Sequence, residues 1–326
     1  MLLIVAKRLL AIIPTILIGL TITFLVLHLA PGDPSIQFLE QSQSVETQDL
    51  LKERFGLNEP IYVQYWKWLK RVTLHLDFGY SFYNGKSCSG IISSALKPTI
   101  LLSLFALLFA LIMGISSGIF TAVRYKTRGD YMISTIYTVL LATPTFWLGL
   151  MLLGLFSIKL GWLPGSHLQS LYHHQLPFFS RLHDSFNHLL LPVLTLGFPV
   201  SATFFKYTRS GMIEALQSDY VLGATARGIS TTTILWKYAL KNTFLPVISL
   251  LGVIIPALLS GAVVVEVIFA LPGIGRTMVN AVFTRDYPLL MAGTTIAFLV
   301  VLICNLLADI GYCFIDPRIL TSRESR

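Results

Sequence analysis

The chain has 326 residues, of which 54% are hydrophobic and only 12% are charged, and its mean hydropathy is +0.72. A soluble domain usually carries about twice this share of charged residues, so the composition excludes an ordinary soluble protein and indicates an integral membrane protein. The net charge of +8 comes from basic residues scattered along the chain, which argues against a nucleic-acid partner.

Six apolar segments are long enough to cross a bilayer, since roughly 20 apolar residues span the hydrocarbon core as a helix. They lie at about residues 9–30, 98–123, 131–158, 188–205, 243–265 and 288–309. The sequence therefore predicts an all-α polytopic membrane protein with six transmembrane helices in a single domain, residues 1–326. Two other segments stand out between the predicted spans, a long one of residues 31–97 and a polar one of residues 209–243.

The basic residues of the short loops predict how the chain is inserted. Most of them fall on the side that carries both termini, among them Arg124, Lys126, Arg128, Lys237 and Lys241. Short loops rich in Lys and Arg stay in the cytoplasm. We therefore expect a multi-pass inner-membrane protein with both termini cytoplasmic, an external subdomain of residues 31–97, and the polar segment 209–243 on the cytoplasmic face.

Residues 61–79 of the external segment mix aromatic and cationic side chains. The stretch reads IYVQYWKWLKRVTLHLDFG and places Tyr65, Trp66 and Trp68 beside Lys67 and Lys70. Such a mixture suits a helix that lies at the level of the lipid headgroups. An ordinary packed helix of a small external subdomain explains it equally well.

Nucleotide-binding motifs occur only in imperfect form. The stretch GYSFYNGKS has five residues between Gly79 and Gly85, whereas a phosphate-binding loop needs four. The stretch ALPGIGR lacks the surrounding βαβ unit of a dinucleotide fingerprint. If the protein uses ATP, we therefore expect another subunit to hydrolyse it.

Five histidines, at positions 167, 173, 174, 183 and 188, lie in the predicted loop 159–188. Histidine is a frequent metal ligand, but these residues have neither a regular spacing nor an accompanying cluster of carboxylates. We therefore expect an ordinary loop surface there and no metal site.

Two carboxylates, Glu266 and Asp309, lie in or beside predicted spans. A charge inside the bilayer is costly, so each is a candidate functional group. Each also lies about a turn or two from the end of a span, where water or a partner subunit could solvate it. A structural or interfacial role and a role in transport or proton relay both stay open.

The polar segment 209–243 is predicted to form two helices with a tight turn between them, and we call this segment the bracket. Met212, Ala215, Leu216, Tyr220 and Ala224 recur at helical spacing. Glycine is favoured in the left-handed conformation that ends many helices, which predicts such a turn at Gly228, and Ser230 is a good N-cap for the next helix. Gly223, Ala224, Ala226 and Gly228 predict a surface of small residues that another protein can approach; the alternative is a well-capped loop without a partner.

The bracket also carries the clearest family resemblance. The stretch DYVLGATARGISTTTILWKYALKNTFLP resembles the cytoplasmic loop of the dipeptide/oligopeptide/nickel family of ABC-importer permeases. Other motifs of this family recur in the same order along nearly the whole chain: HLAPGDP, YVQYWKWL, LDFGYSF, TPTFWLGL, GAVVVEVIFALPGIG, RDYP and DPRI. The chain departs from the pattern at Leu222, where the wider permease class has glutamate, and at Tyr238, where the closer family has histidine.

The resemblance implies a B-type permease subunit of a bacterial ATP-driven importer, which translocates di- or oligopeptides delivered by an extracytoplasmic binding protein. The implied partners are a second homologous permease subunit, two cytoplasmic ATPase subunits, the binding protein and membrane lipid. Because the ATPases would bind the ATP, we expect this chain to be no enzyme and to hold no cofactor or metal.

By the same resemblance, the bracket is expected to couple the ATPases to the spans. The residues expected to make this contact are Asp219, Tyr220, Ala224, Ala226, Gly228, Ser230 and Lys241. Two alternatives remain: import of nickel or another small solute on the same scaffold, and an ion-coupled secondary transporter in which Glu266 or Asp309 is the coupling group.

Overall fold

The computed structural model describes residues 2–29 and 59–315. Much of the predicted external subdomain, most of the motif HLAPGDP and the motif DPRI lie outside the described residues. The side chain of Asp309 also lies outside the described part of the chain, although its backbone belongs to the last helix.

The described residues are almost entirely helical, apart from one isolated antiparallel bridge between Tyr80 and Ser87, so the predicted all-α class is confirmed. The α-helices are α1 (Leu2–Leu29), α2 (Ile61–His75), α3 (Cys88–Val123), α4 (Arg128–Ala142), α5 (Thr145–Leu152), α6 (Phe178–Leu216), α7 (Asp219–Ala226), α8 (Thr231–Thr233), α9 (Leu240–Ile268), α10 (Ile274–Phe283) and α11 (Tyr287–Ile315). Two π-helical segments (Leu153–Lys159 and Ile234–Ala239) and one short 3₁₀ helix (His173–Gln175) complete the described elements.

Four of the described helices contain a stretch that is long and apolar enough to cross a membrane, namely Cys88–Val123, Phe178–Leu216, Pro246–Ile268 and Tyr287–Leu306. A fifth candidate is the pair Arg128–Ala142 and Thr145–Lys159, if this bent pair forms one span. In α1 the apolar stretch Ile13–Val26 is shorter than these. The predicted count of six spans therefore stays a prediction.

The bent pair corresponds to the run 131–158 that the sequence predicts as a single span. Its two helices meet at an angle of 105°. Thr143 has φ −79° and ψ 124°, and Pro144 directly precedes α5. A residue before proline is pushed out of the helical conformation by the proline ring, and this steric clash explains the break.

The chain divides into two compact units, one of Pro98–Pro272 with the described part of Cys304–Arg326, the other of Gly273–Ile303 with the described part of Leu2–Lys97. The predicted organisation as a single domain stays a prediction. The larger unit has a core between α3, α6 and α9, in which fully buried residues such as Leu102, Leu191 and Val265 pack together.

Close packing of α3 against α6 depends on two glycines of α3 spaced four residues apart. A Cβ atom at Gly114 would lie 2.5 Å from the backbone oxygen of Ser201, and one at Gly118 would lie 2.7 Å from Cβ of Thr208. Small residues at this spacing let two membrane helices approach closely and gain van der Waals contact. The two helices are therefore held side by side over at least one turn.

In the other unit, α2 packs against α1. Trp68, Leu69 and Val72 are buried beside Leu20 and Phe24. The opposite face of α2 leaves Tyr62 and Trp66 exposed. The mixed composition of this helix therefore reflects one packed face and one exposed aromatic face.

The stretch GYSFYNGKS, which resembles a phosphate-binding loop in sequence, forms a turn that is held by Asp286. Asp286, which is 1% exposed, accepts hydrogen bonds from the hydroxyl of Ser81 and from the backbone N–H of Phe82, the latter at 3.0 Å. Gly79 and Gly85 both have positive φ angles, 77° and 66°. A buried carboxylate at its base stabilises this turn, and such a group repels a phosphate.

Candidate functional site

The first half of the bracket contains a helix break that the sequence did not predict. A single helix is expected over 209–227, but α6 ends at Leu216 and α7 begins at Asp219. Between them Ser218 has an extended backbone, and its hydroxyl donates a 2.5 Å hydrogen bond to the carbonyl of Ala215. Serine competes in this way with the regular helical hydrogen bonds, which gives the physical reason for the break.

The turn at Gly228 has the predicted conformation. Gly228 has φ 74°, and its N–H donates to the carbonyl of Thr225 at 2.9 Å. A Cβ atom at this glycine would meet nothing within 4 Å, so the backbone conformation and not lack of space favours glycine. Ser230 caps the next helix by accepting a hydrogen bond from the N–H of Thr233, as predicted.

The second half of the bracket is joined without interruption to α9. After α8 the backbone is π-helical over Ile234–Ala239 and then α-helical from Leu240. A π-helical turn inserts an extra residue into the helix and occurs frequently at functional sites. The turn at Gly228 is therefore connected to a candidate span by one continuous helical run.

A small buried core holds the two halves of the bracket together. This bracket core consists of Val221 and Ala224 from α7 and Ile234 from the π-helical segment. Leu216, at the end of α6, packs against it. Ala224 is fully buried, so it does not form part of the small-residue surface predicted from the sequence, whereas Gly223, Ala226 and Gly228 are exposed.

The exposed side of the bracket carries two large apolar side chains that sequence reasoning missed. Leu222 is 60% exposed and Trp236 is 63% exposed. Each lies two positions from a buried residue of the bracket core, which places it on the opposite side of its helix. This spacing is the signal that could have identified them, since residues two apart on a helix point about 200° apart.

The remaining residues expected to contact an ATPase lie on the same segment. Asp219, Ser230 and Lys241 are exposed. Tyr220 is 41% exposed, and its hydroxyl accepts a 3.0 Å hydrogen bond from the side-chain amide of Asn242. The bracket therefore presents apolar, aromatic and charged groups together and ties α7 to the start of α9.

A buried ion pair involves Arg209, the first residue of the bracket, and was not predicted. The carboxylate of Asp130 is 1% exposed and is bound by Arg209 through Nε at 2.7 Å and Nη2 at 2.8 Å. It also accepts from the N–H of Lys126 at 3.1 Å and from the hydroxyl of Ser134 at 3.2 Å. The sequence contains no signal for this pair, because its partners are 79 positions apart.

Glu266 is buried among the helices of the larger unit, with 1% of its surface exposed. Its carboxylate accepts a 2.6 Å hydrogen bond from the hydroxyl of Thr99. Its backbone carbonyl accepts from the N–H of Leu271 at 2.9 Å. The structure therefore places Glu266 at a contact between α3 and α9.

In the histidine-containing segment, one carboxylate organises the contacts. Asp184 accepts from the N–H of Ser170 at 3.0 Å, and its carboxylate lies 2.7 Å from Nδ1 of His173 and 3.4 Å from Nδ1 of His188. Among the described residues, no group of three or more His, Cys, Asp or Glu side chains could hold a metal ion. These contacts fold the segment against the first turns of α6.

Comparison with known families shows matches over most of the chain. Residues 111–321 match the family described as binding-protein-dependent transport system inner membrane component. Residues 1–104 match the N-terminal domain of the same kind of membrane component.

Two curated relatives match almost end to end. The oligopeptide transport system permease protein AppB of Bacillus subtilis is 39% identical over 317 residues, which cover 97% of this chain and 98% of the relative. The glutathione transport system permease protein GsiC of Salmonella typhimurium is 35% identical over 315 residues, which cover 97% of this chain and 98% of the relative.

Two solved structures share the fold. The methionine ABC transporter MetNI, in inward-facing conformations, matches with a TM-score of 0.56 and 11% identity over 70% of this chain and 97% of that chain. An amino acid ABC transporter crystallised with histidines matches with a TM-score of 0.51 and 17% identity over 69% of this chain and 94% of that chain. At these identities the likeness concerns the fold alone.

Proposed function

The chain belongs to the inner membrane components of binding-protein-dependent transport systems and is a permease of an ABC importer, and on this premise we propose that it imports short peptides. One observation carries the proposal: the two named relatives, one for oligopeptides and one for glutathione, each match this chain over 97% of its length. Glutathione is itself a tripeptide. Short peptides are thus the cargo class that the two relatives share.

We further propose that cytoplasmic ATPase subunits bind the bracket, and that their movement during ATP hydrolysis displaces it. Three features support this role. The bracket is ordered by its own buried core and two capped helices, it exposes Leu222 and Trp236, and it is joined directly to α6 and α9. The basic residues near it support a cytoplasmic location, because short loops rich in Lys and Arg stay inside.

The proposed complex contains a second homologous permease subunit, two ATPase subunits, and a binding protein that delivers the peptide from outside the cytoplasm. In this arrangement the ATPases bind and hydrolyse the ATP, and the helices of this chain change conformation in response. Closure of the ATPases would push α7 and α8 together, and the helices joined to them would rock between inward-facing and outward-facing states.

The test is uptake by the complete complex in proteoliposomes with the binding protein on one side and ATP on the other. We expect uptake of labelled di- and oligopeptides that requires ATP and persists when an uncoupler removes the proton gradient. Uptake of Ni²⁺ without uptake of peptides would show that the same scaffold carries a metal cargo. Peptide uptake that needs a proton gradient and no ATP would contradict the importer mechanism.

A further inference from the structure

The ion pair between Asp130 and Arg209 has the geometry of a rigid link. Arg209 contacts both carboxylate oxygens through Nε and Nη2, at 2.7 and 2.8 Å. A fork-to-fork contact of this kind fixes orientation as well as distance, and lysine cannot reproduce it. The backbone N–H of Lys126 and the hydroxyl of Ser134 donate two further hydrogen bonds to the carboxylate, at 3.1 and 3.2 Å.

One end of this link, Arg209, is the first residue of the bracket and lies in α6. Arg209 lies seven residues before the end of α6 at Leu216, a distance of about 10 Å along a helix. Between these points Met212 and Ala215 are buried against Leu240 at the start of α9. Leu216 packs against the bracket core. Arg209 and the bracket core are therefore connected by one well-packed stretch of α6.

The other end of the link is the first turn of α4. This helix touches α6 a second time two turns further on, where the ring of Tyr137 stacks on Phe205 with 4.2 Å between centroids and 8° between planes. The hydroxyl of Tyr137 also donates to the carbonyl of Met113 at 3.1 Å. A ring stack alone would let α4 pivot against α6, whereas the stack and the ion pair together hold α4 at two positions along its length.

We propose that the Asp130–Arg209 pair is the strut through which the bracket moves α4 and, beyond the bend at Thr143 and Pro144, α5. Both residues are then positioning residues for transport, acting on helices they connect and not on the cargo. This inference rests on the proposed role of the bracket in ATPase coupling. A pair that served stability alone would have no effect on how much transport each ATP drives.

The experiment separates a role of the pair in transport from a role in stability alone. It removes both charges together, so that neither is left buried and unpaired. Replacing a buried ion pair by apolar residues of similar size is often neutral for stability. We therefore use the double variant Asp130→Leu with Arg209→Met, and the single variant Arg209→Lys, which keeps a charge but not the fork. The matched control is Ser134→Ala, which removes one hydrogen bond to the same carboxylate and keeps the ion pair.

Three quantities are measured on the complete complex in proteoliposomes: the ATPase retained on purification, ATP hydrolysis stimulated by peptide-loaded binding protein, and peptide uptake per ATP hydrolysed. The double variant and Arg209→Lys should retain the ATPase and hydrolyse ATP. Their uptake per ATP should fall by about tenfold, within the range seen for residues along a coupling network. Ser134→Ala should keep the wild-type ratio.

The strut is refuted if the double variant purifies as a stable complex and keeps the wild-type uptake per ATP. It is also refuted if Ser134→Ala lowers this ratio as much as Arg209→Lys does. Failure of the proposed ATP-driven import would give a different result, because the wild-type complex itself would then show no ATP-dependent uptake.

Discussion

The hydroxyl of Thr99 donates a 2.6 Å hydrogen bond to the carboxylate of Glu266, and this contact joins α3 to α9 inside one compact unit. The partners are 167 positions apart. A carboxylate buried in this way is the obvious candidate for an ion-coupling group, so its role decides between an ATP-driven importer and a secondary transporter.

Glu266→Gln is expected to leave uptake driven by ATP and insensitive to an uncoupler, because the amide oxygen can still accept the hydrogen bond from Thr99. Asp309→Asn is expected to behave in the same way. The measurement is uptake in intact cells under ATP depletion and, separately, with an uncoupler. Uptake that survives ATP depletion and collapses with the uncoupler would establish ion coupling instead.

The orientation of the chain can be tested with reporter fusions. Fusions after Lys126 and after Ser230 should report a cytoplasmic location, and one near Gln43 an external location, because short loops rich in Lys and Arg stay inside. A reporter active only in the cytoplasm is paired with one active only outside it. An external location for Ser230 would remove the bracket from reach of any cytoplasmic ATPase.

Gly228→Val should weaken ATPase capture and uptake while the permease still inserts and accumulates. The left-handed conformation at φ 74° costs a residue with a Cβ about 1–2 kcal/mol, and a β-branched side chain more. Gly228→Ala should be milder, and Lys241→Ala, which removes one exposed charge, milder again. Co-purification of the ATPase and uptake in cells provide the measurements. Normal values for the valine variant would show that the bracket is not the coupling element.

Trp236→Ala should lower ATPase capture without destabilising the permease, because the side chain is 63% exposed and contributes little to the core. A tryptophan at the centre of an interface typically contributes roughly 2 kcal/mol or more to binding. The matched control is Trp162→Ala, a tryptophan that is 68% exposed outside the bracket. Both variants are compared by thermal stability in detergent and by ATPase co-purification, and equal capture by the two would contradict an ATPase contact at Trp236.

Local features of the bracket could be predicted from the sequence, since they depend on neighbouring residues. A glycine after a helix and a serine before the next one specify the turn at Gly228 and the cap at Ser230, and both are present. The break at Ser218 is also local, yet it was missed, because serine inside a helical pattern is compatible with either a break or a continued helix. The exposure of the Leu222 and Trp236 side chains was not predicted, because it depends on which side of each helix is packed.

The sequence by itself determined that this chain is a helical membrane protein and a permease of an ABC importer, because composition, span-length apolar runs and ordered motifs are properties of the linear chain. The tertiary structure alone decided that Ala224 is buried, that Arg209 binds Asp130, and that Thr99 binds Glu266. These contacts join residues far apart in sequence and require the helices to be packed with one particular rotation about their axes. Almost all residues of such helices are apolar on every side, so periodicity carries little information about that rotation, and only packing at close-approach sites such as Gly114 and Gly118 sets it.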